Sequence, residues 1–157
     1  MKKKALLFAV LLSSAAYAEQ CLVVGLADGD TLTARCGAPG AYRQVKIRLA
    51  EIDAPEKKQP FGQRSRQALA ELCFQKTARI RTSTKDRYGR TVARVECNGV
   101  DANAEMVRLG MAWAYTRYQT DASLTHLEAQ AREGRAGLWA DSSPQPPWEW
   151  RQRARGR

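Results

Sequence analysis

Acidic side chains crowd two short segments of the sequence. In "RLAEIDAPE", Arg48 is followed by Asp53 and Glu56, and in "DGD" the residues Asp28 and Asp30 flank a glycine. Carboxylates held close together repel one another unless a positive group lies between them. Oxygen-rich clusters of this kind bind hard cations, and Ca²⁺ in particular. The pattern therefore predicts that a positive group lies among these acids.

A third segment, "DRYGR", contributes Arg87, Tyr88 and Arg90. Arginine guanidinium groups hold the non-bridging oxygens of a phosphate in a forked geometry. Phosphodiester hydrolysis needs charge neutralisation, an aligned water and a group that activates this water. The three segments supply all of these if they meet on one rim of a small β-barrel. Taken singly, each residue also fits a structural role, as a turn former, a salt-bridge partner or a solvated surface group.

His126 is the single histidine, and it lies in a helical pattern beside Leu124 and Leu127. A histidine in such a position is more often structural or solvent-facing than catalytic. One histidine also argues against a multi-histidine metal site and against a Ser-His-Asp triad. Any catalysis must therefore depend on the carboxylates and arginines.

The first 18 residues, "MKKKALLFAVLLSSAAYA", have the features of a signal peptide. A basic start precedes an apolar run, and Ala16-Tyr17-Ala18 matches the small-x-small pattern of a cleavage site. The run is too short to span a bilayer, and an amphipathic N-terminal helix is the alternative. We expect an exported protein, periplasmic or secreted, whose mature form has no membrane segment. The mature chain would begin at Glu19 and have 139 residues (157 minus 18), which suits one domain.

Basic residues exceed acidic ones along the whole chain. The formal charge is +10, and removal of Lys2, Lys3 and Lys4 with the signal peptide lowers it to +7. This charge favours a polyanionic partner, and nucleic acids, acidic glycans and anionic lipid surfaces all qualify. The alternative is that the charge only keeps the protein soluble.

Alternating apolar and polar residues predict two β-hairpins with a strand between them. "CLVVGLADGDTLTARC" alternates on both sides of a two-residue turn at Asp28-Gly29, and "YRQVKIRLAEI" reads as a third strand that ends before Pro55. The segments "TARIRTSTK" and "TVARVEC" form the second hairpin around "DRYGR".

Helical spacing predicts three helices, in "GQRSRQALAELCFQ", in "ANAEMVRLG" after an Asp101 N-cap, and in "SLTHLEAQAREGRAGLW". Five strands with a helix between the third and the fourth is the order of an OB-fold barrel. The predicted fold class is therefore α+β, mainly β, as a five-stranded OB-fold barrel with three helices. A small α+β sheet of another topology is the alternative. We assign residues 19–140 to this domain and residues 141–157 to a proline-rich basic tail, an extended strap or loose end.

Four cysteines follow the predicted signal peptide, an even number that indicates disulfides in an oxidising compartment. Cys21 and Cys36 are equidistant from the first hairpin turn, so they face each other in a simple register. Four cysteines allow three pairings, and we favour Cys21–Cys36 with Cys73–Cys97. A zinc site is the rival, but the sequence lacks a C-x-x-C pair.

Five segments together resemble the staphylococcal nuclease (thermonuclease) family. They are "DGDT" (28–31), "IRLAEIDAPE" (47–56), "KDRYGR" (85–90), "LGMAWAY" (109–115) and "EAQAREGRAGLW" (128–139), in that order along the chain. The resemblance covers nearly all of the predicted mature domain. It implies a five-stranded OB barrel with three helices and a monomeric Ca²⁺-dependent nuclease that takes DNA and RNA as substrates and leaves 5′-hydroxyl and 3′-phosphate ends.

The resemblance also implies roles for individual residues of the metal site. Asp30 and Asp53 correspond to the carboxylate ligands of Ca²⁺. Ala54 stands where the family commonly has threonine, but the ligand there is the backbone carbonyl, so alanine should serve. Asp28 is implied to contact and position the ligands without binding the metal ion itself.

The same resemblance implies that Arg48 and Arg90 grip the scissile phosphate and that Glu56 orients or deprotonates the attacking water. The implied contacts to the rest of the substrate are Arg87, Tyr88 and Tyr115, or Tyr118 in place of Tyr115. The barrel that the family implies brings the ends of the first helix and the fifth strand within reach, which pairs Cys73 with Cys97. The rival function is an OB-fold module that binds nucleic acid without cutting it.

Overall fold

The structure is a computed structural model that describes residues 18–156, except for the side chain of Tyr118. The predicted signal peptide lies outside these residues apart from Ala18, so it stays a prediction. Among the described helices, none is both long and apolar enough to cross a membrane.

Five strands close into a barrel. They are β1 (Glu19–Leu26), β2 (Thr31–Cys36), β3 (Arg43–Leu49), β5 (Thr77–Lys85) and β6 (Thr91–Cys97). Neighbours in the order β3-β2-β1-β5-β6 are antiparallel, and a parallel pairing of β3 with β6 closes the ring. Three short strands add to it, namely β4 (Ile52–Asp53), which pairs with β8 (Trp113–Ala114), and β7 (Val100–Asp101), which pairs with β6. The predicted mainly-β fold with a five-stranded barrel is confirmed.

The first hairpin has the predicted strands but a longer turn. Cys21 lies opposite Cys36, as the pattern predicts. A bulge between Val23 and Gly25 then shifts the register by one residue, so the connection spans residues 27–30 and is not a two-residue turn. The extra length places the whole "DGD" segment on the barrel rim, beyond the last paired residues.

The third strand ends earlier than its apolar pattern predicts. A turn at Ala50 and Glu51 separates β3 from β4, and Glu51 has φ of 62°, a left-handed conformation that is uncommon outside glycine. Distant residues hold this turn, because Asn103 Nδ2 donates to Ala50 O at 2.8 Å and Thr120 N donates to Glu51 Oε1 at 2.5 Å. The prediction of one continuous strand is wrong here, and the turn brings Asp53 back towards Arg48.

Three predicted helices are present, as α1 (Gly62–Cys73), α2 (Ala102–Arg108) and α3 (Ser123–Glu133). Asp101 caps α2 as predicted, since its Oδ1 accepts from Ala104 N at 3.0 Å. The helices cover the barrel core through apolar side chains that are fully buried, among them Leu69, Met106, Val107 and Leu124. Both favoured disulfides, Cys21–Cys36 and Cys73–Cys97, are formed.

A fourth helix, α4 (Pro147–Arg155), forms within the predicted tail. It begins at a proline, a residue whose fixed φ suits the first helical position. Its Trp148 packs edge-on against Trp113, with the ring centroids 5.6 Å apart. The prediction of a loose end is therefore wrong for residues 147–155, and the helix count rises from three to four.

Candidate active site

The first-hairpin loop presents Asp30 to the corner that follows β3. Asp30 is 5% exposed, its Oδ1 accepts from Thr31 Oγ1 at 2.9 Å, and its Oδ2 accepts from Ala54 N at 2.8 Å. Gly29 is required beside it, because a Cβ at that position would lie 1.8 Å from Ser65 Oγ. Asp28 belongs to the same loop, and its Oδ1 accepts from Asp30 N at 3.1 Å. Close packing of the loop thus joins two segments that are 24 residues apart.

Arg48 lies between the carboxylates of the two segments. Its Nη2 donates to Asp53 Oδ1 at 3.3 Å, and its Nη1 lies 3.4 Å from Asp30 Oδ2. The same Nη1 donates to the carbonyl oxygens of Leu49 and Ile52, both at 2.9 Å. The turn between β3 and β4 therefore fixes the guanidinium next to two acids.

The electrostatics reflect this crowding. Burial raises the pKa of Asp53 above its usual value, although the hydrogen bond from Arg151 opposes this. Burial and the nearby charge of Asp30 raise the pKa of Asp28 to about 6. Burial alone would lower the pKa of Arg48, but the carboxylates of Asp30 and Asp53 outweigh it and raise that pKa. The rim is therefore a place where additional positive charge is favourable.

Arg90 reaches the same rim from the hairpin between β5 and β6. Its Nε donates to Asp86 Oδ2 at 2.7 Å, and its Nη1 lies 3.4 Å from Thr31 Oγ1, which in turn donates to Asp30. Asp86 also accepts from the backbone N–H groups of Tyr88 and Arg90, which fixes the turn. Sequence reasoning missed Asp86, although an aspartate at the first position of a turn with glycine at the fourth is a recognisable signal.

Tyr88 projects from this turn and is 66% exposed. The guanidinium carbons of Arg87 and Arg90 lie 4.9 and 5.7 Å from the centre of its ring. This group of one ring and two guanidiniums is linked to the rim through Arg90, whose Nη1 lies 3.4 Å from Thr31 Oγ1.

The structure also places an unpredicted cation, Arg151 of α4, on the acidic corner. Its Nη1 and Nη2 donate to the two carboxylate oxygens of Asp53 at 3.1 and 2.6 Å, and Nη1 donates to Glu56 Oε1 at 2.8 Å. Hydrogen bonding to Asp53 raises the pKa of Arg151, so it stays charged. The sequence predicts a divalent cation between these acids, and that stays a prediction; the positive group that contacts both Asp53 and Glu56 in this structure is the guanidinium of Arg151.

Arg151 is held there by the docking of α4. Trp148 lies 5.6 Å from the ring of Trp113 and 5.7 Å from that of Tyr115, and Gln59 Nε2 donates to Gln145 O at 2.7 Å. Tyr115, one of the two predicted nucleotide contacts, thus lies next to the tail helix. The side chain of the other candidate, Tyr118, is outside the described part of the chain.

The donors at the corner fit a hard divalent cation. Asp30 and Asp53 lie on either side of Arg48, and both offer only oxygen ligands. Asp53 also pairs with the guanidinium of Arg151. Two carboxylates leave positions open for further oxygen ligands, including water and substrate, as Ca²⁺ prefers. Within residues 18–156, the one group of three acidic or sulfur ligands closer than 4.8 Å is Glu19, Cys21 and Cys36, whose sulfurs are joined in a disulfide. The corner is therefore a two-carboxylate site.

A groove of about 370 Å³ runs beside Glu56. Its lining includes four cations and one aromatic residue, namely Lys57, Lys58, Arg151, Arg155 and Trp150. The cations and the aromatic ring suit a polyanion that carries planar bases.

Comparison with known proteins gives a consistent result. The family model described as "Staphylococcal nuclease homologue" matches residues 46–141. An "uncharacterized endonuclease" of Haemophilus influenzae is 45% identical over 146 residues, which covers 93% of this chain and 80% of the relative. A "micrococcal nuclease" of Shigella flexneri is 41% identical over 140 residues, covering 82% and 78%. A staphylococcal-like nuclease of Arabidopsis thaliana is 41% identical over 114 residues, covering 73% of this chain and 35% of that longer protein.

Proposed function

Because the chain belongs to the staphylococcal nuclease homologue family, we propose that it is a Ca²⁺-dependent endonuclease of DNA and RNA with little sequence specificity. The observation that carries the proposal is the meeting of two arginines and two acids, Asp30 and Asp53, on one rim. Arg48 contacts Asp30 and Asp53 directly, and Arg90 reaches Asp30 through Thr31. The basic composition of the chain agrees with a polyanionic substrate.

In this proposal the two arginines bind the scissile phosphate. Their guanidinium groups donate to its non-bridging oxygens and stabilise the charge that builds up as the bond breaks. Glu56, whose side chain is 37% exposed, orients or deprotonates the attacking water. Arg87, Tyr88 and Tyr115 contact the neighbouring nucleotides.

Asp30, Asp53 and the carbonyl of Ala54 hold the divalent cation, with Asp28 in support. When bound there, a divalent cation would supply Lewis-acid stabilisation of the phosphate. Asp30 is fixed for this role by its hydrogen bonds with Thr31 and the Ala54 N–H.

We also propose that the protein is exported, to the periplasm or beyond, and acts there as a monomer without a membrane anchor. The two disulfides support an oxidising compartment. In this proposal residues 19–140 form the nuclease domain, and residues 141–157 form an appendage that contributes Arg151.

One observation favours a second function, that of a module that binds nucleic acid without cutting. Arg151 forms ion pairs with the carboxylates of Asp53 and Glu56. A nuclease of this kind needs the first carboxylate to bind the metal ion and the second to activate the attacking water. A module that only binds would retain the basic groove and tolerate this blocked corner.

Digestion of supercoiled plasmid separates the two functions. We expect the purified protein to degrade plasmid and single-stranded RNA in Ca²⁺ and to leave both intact in chelator. Intact plasmid in millimolar Ca²⁺, with folding verified by circular dichroism and binding verified by gel shift, would establish the binding module.

A further inference from the structure

Arg151 lies between Asp53 and Glu56 and contacts carboxylate oxygens that a bound metal ion would also require. It contacts both carboxylate oxygens of Asp53, at 3.1 and 2.6 Å, and one oxygen of Glu56, at 2.8 Å. Asp53 is 1% exposed, so water cannot solvate its charge and it depends on cationic partners. The guanidinium therefore supplies positive charge that the buried acid requires.

We propose that Arg151 is an internal counter-ion that competes with the divalent metal for Asp53 and Glu56, so that α4 sets the metal affinity of the site. This inference rests on the proposed function, which assigns Asp53 to the metal and Glu56 to the attacking water. Both oxygens of Asp53 accept from Arg151, so a metal that binds there must displace at least one of these hydrogen bonds. Displacement of Nη1, which also donates to Glu56 Oε1, frees Glu56 as well.

The exchange is an ion-for-ion replacement. Asp53 keeps a cationic partner throughout, which avoids leaving an unpaired buried charge. Arg48 stays in place, because the carbonyls of Leu49 and Ile52 hold it independently of α4. The unfavourable part of the free energy of metal binding therefore comes mainly from breaking the hydrogen bonds of Arg151.

Arg151 has space beside it into which its side chain can move without unfolding of the barrel. Its side chain is 35% exposed and lines the groove of about 370 Å³ beside Glu56. The helix is nine residues long, and the residues that follow Arg151 are exposed. Movement of one side chain, or of this short helix, is enough to open the corner.

Calcium binding by calorimetry, without nucleic acid, tests the inference on the purified protein. Arg151→Gln should bind Ca²⁺ more tightly than the unmodified protein, by on the order of tenfold. The matched control is Arg153→Gln, which removes the same charge from the same helix at a position that is 67% exposed and paired with Glu149. We expect the control to change the affinity by less than about twofold. Equal or weaker binding by Arg151→Gln, compared with Arg153→Gln, would overturn the inference.

Thermal unfolding distinguishes competition from a merely structural contact. A structural role would lower the Tm of Arg151→Gln equally in chelator and in Ca²⁺. Competition instead lowers the Tm in chelator, where Asp53 loses its partner, and makes the gain on adding Ca²⁺ larger than in the unmodified protein. An equal gain in the two proteins would contradict competition.

Arg151→Lys provides a second variant that keeps the charge if the glutamine variant does not fold. Lysine cannot contact both oxygens of Asp53 in the forked geometry, so Ca²⁺ should bind this variant more tightly than the unmodified protein, by a smaller factor. Unchanged or weaker binding would count against the inference. If the unmodified protein binds no Ca²⁺ and cuts no plasmid, the proposed function fails; if it does both and the variants bind no tighter, this inference alone fails.

Discussion

The two sides of the candidate site are built from contacts of very different range. On the barrel side, Arg48 and Arg90 are fixed by partners close in sequence, namely the carbonyls of Leu49 and Ile52 for Arg48 and the carboxylate of Asp86 for Arg90. On the tail side, Arg151 contacts Asp53 and Glu56 from 98 and 95 residues away. The barrel arginines are thus part of the turns that carry them, whereas the carboxylate partners of Arg151 belong to a distant segment of the chain.

This difference suggests that the barrel side and the tail side have different roles. Side chains whose loss would undo a turn are suited to hold a substrate in one fixed geometry. A side chain that reaches the site from a short appended helix is suited to be exchanged for another cation. The predictions below test whether the barrel side carries the phosphate chemistry and most of the stability, and whether the tail side contributes less to both.

The largest effect is expected from Arg48→Ala. The change removes a preorganised guanidinium from the scissile phosphate, and we expect kcat to fall by on the order of 10³-fold in saturating Ca²⁺. The matched control is Arg43→Ala, on the same strand, where the arginine is 56% exposed and pairs with Glu19 at the surface. Near-normal turnover of Arg48→Ala, in a protein whose circular dichroism matches the control, would remove the barrel side from the mechanism.

Much of the barrel side could be predicted from the sequence. Alternation identified the strands, the equal spacing of Cys21 and Cys36 from the turn identified their pairing, and the motifs around Asp30 and Arg48 identified the rim. Each of these features is encoded by residues that are near one another in the chain. The turn at Glu51 escaped prediction because its left-handed conformation depends on Thr120, a residue 69 positions away.

The tail side could not be predicted for a related reason. The segment "PPWEWRQRAR" is proline-rich and strongly charged, a composition typical of an exposed tail. Its helix is stabilised by Trp148 packing on Trp113 and by the pairing of Arg151 with Asp53, and neither contact has a local sequence signal. Two tryptophans among charged residues, Trp148 and Trp150, were the available sign of a docking surface.

An intermediate effect is expected from removal of the disulfide between α1 and β6. Cys73 and Cys97 are 24 residues apart and fully buried, and closing a loop of that length should stabilise the fold by about 3–4 kcal/mol. We expect the Cys73→Ala/Cys97→Ala variant to lose that free energy of unfolding in urea titrations. The Cys21→Ala/Cys36→Ala variant, with a separation of 15, should lose slightly less. A loss below about 1 kcal/mol for both variants would show that the barrel does not depend on its cross-links.

The smallest effect on stability is expected from deletion of residues 144–157, which removes α4. Its main apolar contact is the half-buried Trp148, so the free energy of unfolding should fall by less than about 3 kcal/mol. Deletion of residues 152–157 alone retains Trp148 and Arg151 and should change the free energy of unfolding by about 0.5 kcal/mol or less.

If the longer deletion instead lowers the free energy of unfolding by more than loss of the Cys73–Cys97 bridge does, α4 is an integral part of the fold. Arg151 would then be a structural ion pair that the barrel cannot release, and the contrast between a fixed barrel side and an exchangeable tail side would be wrong.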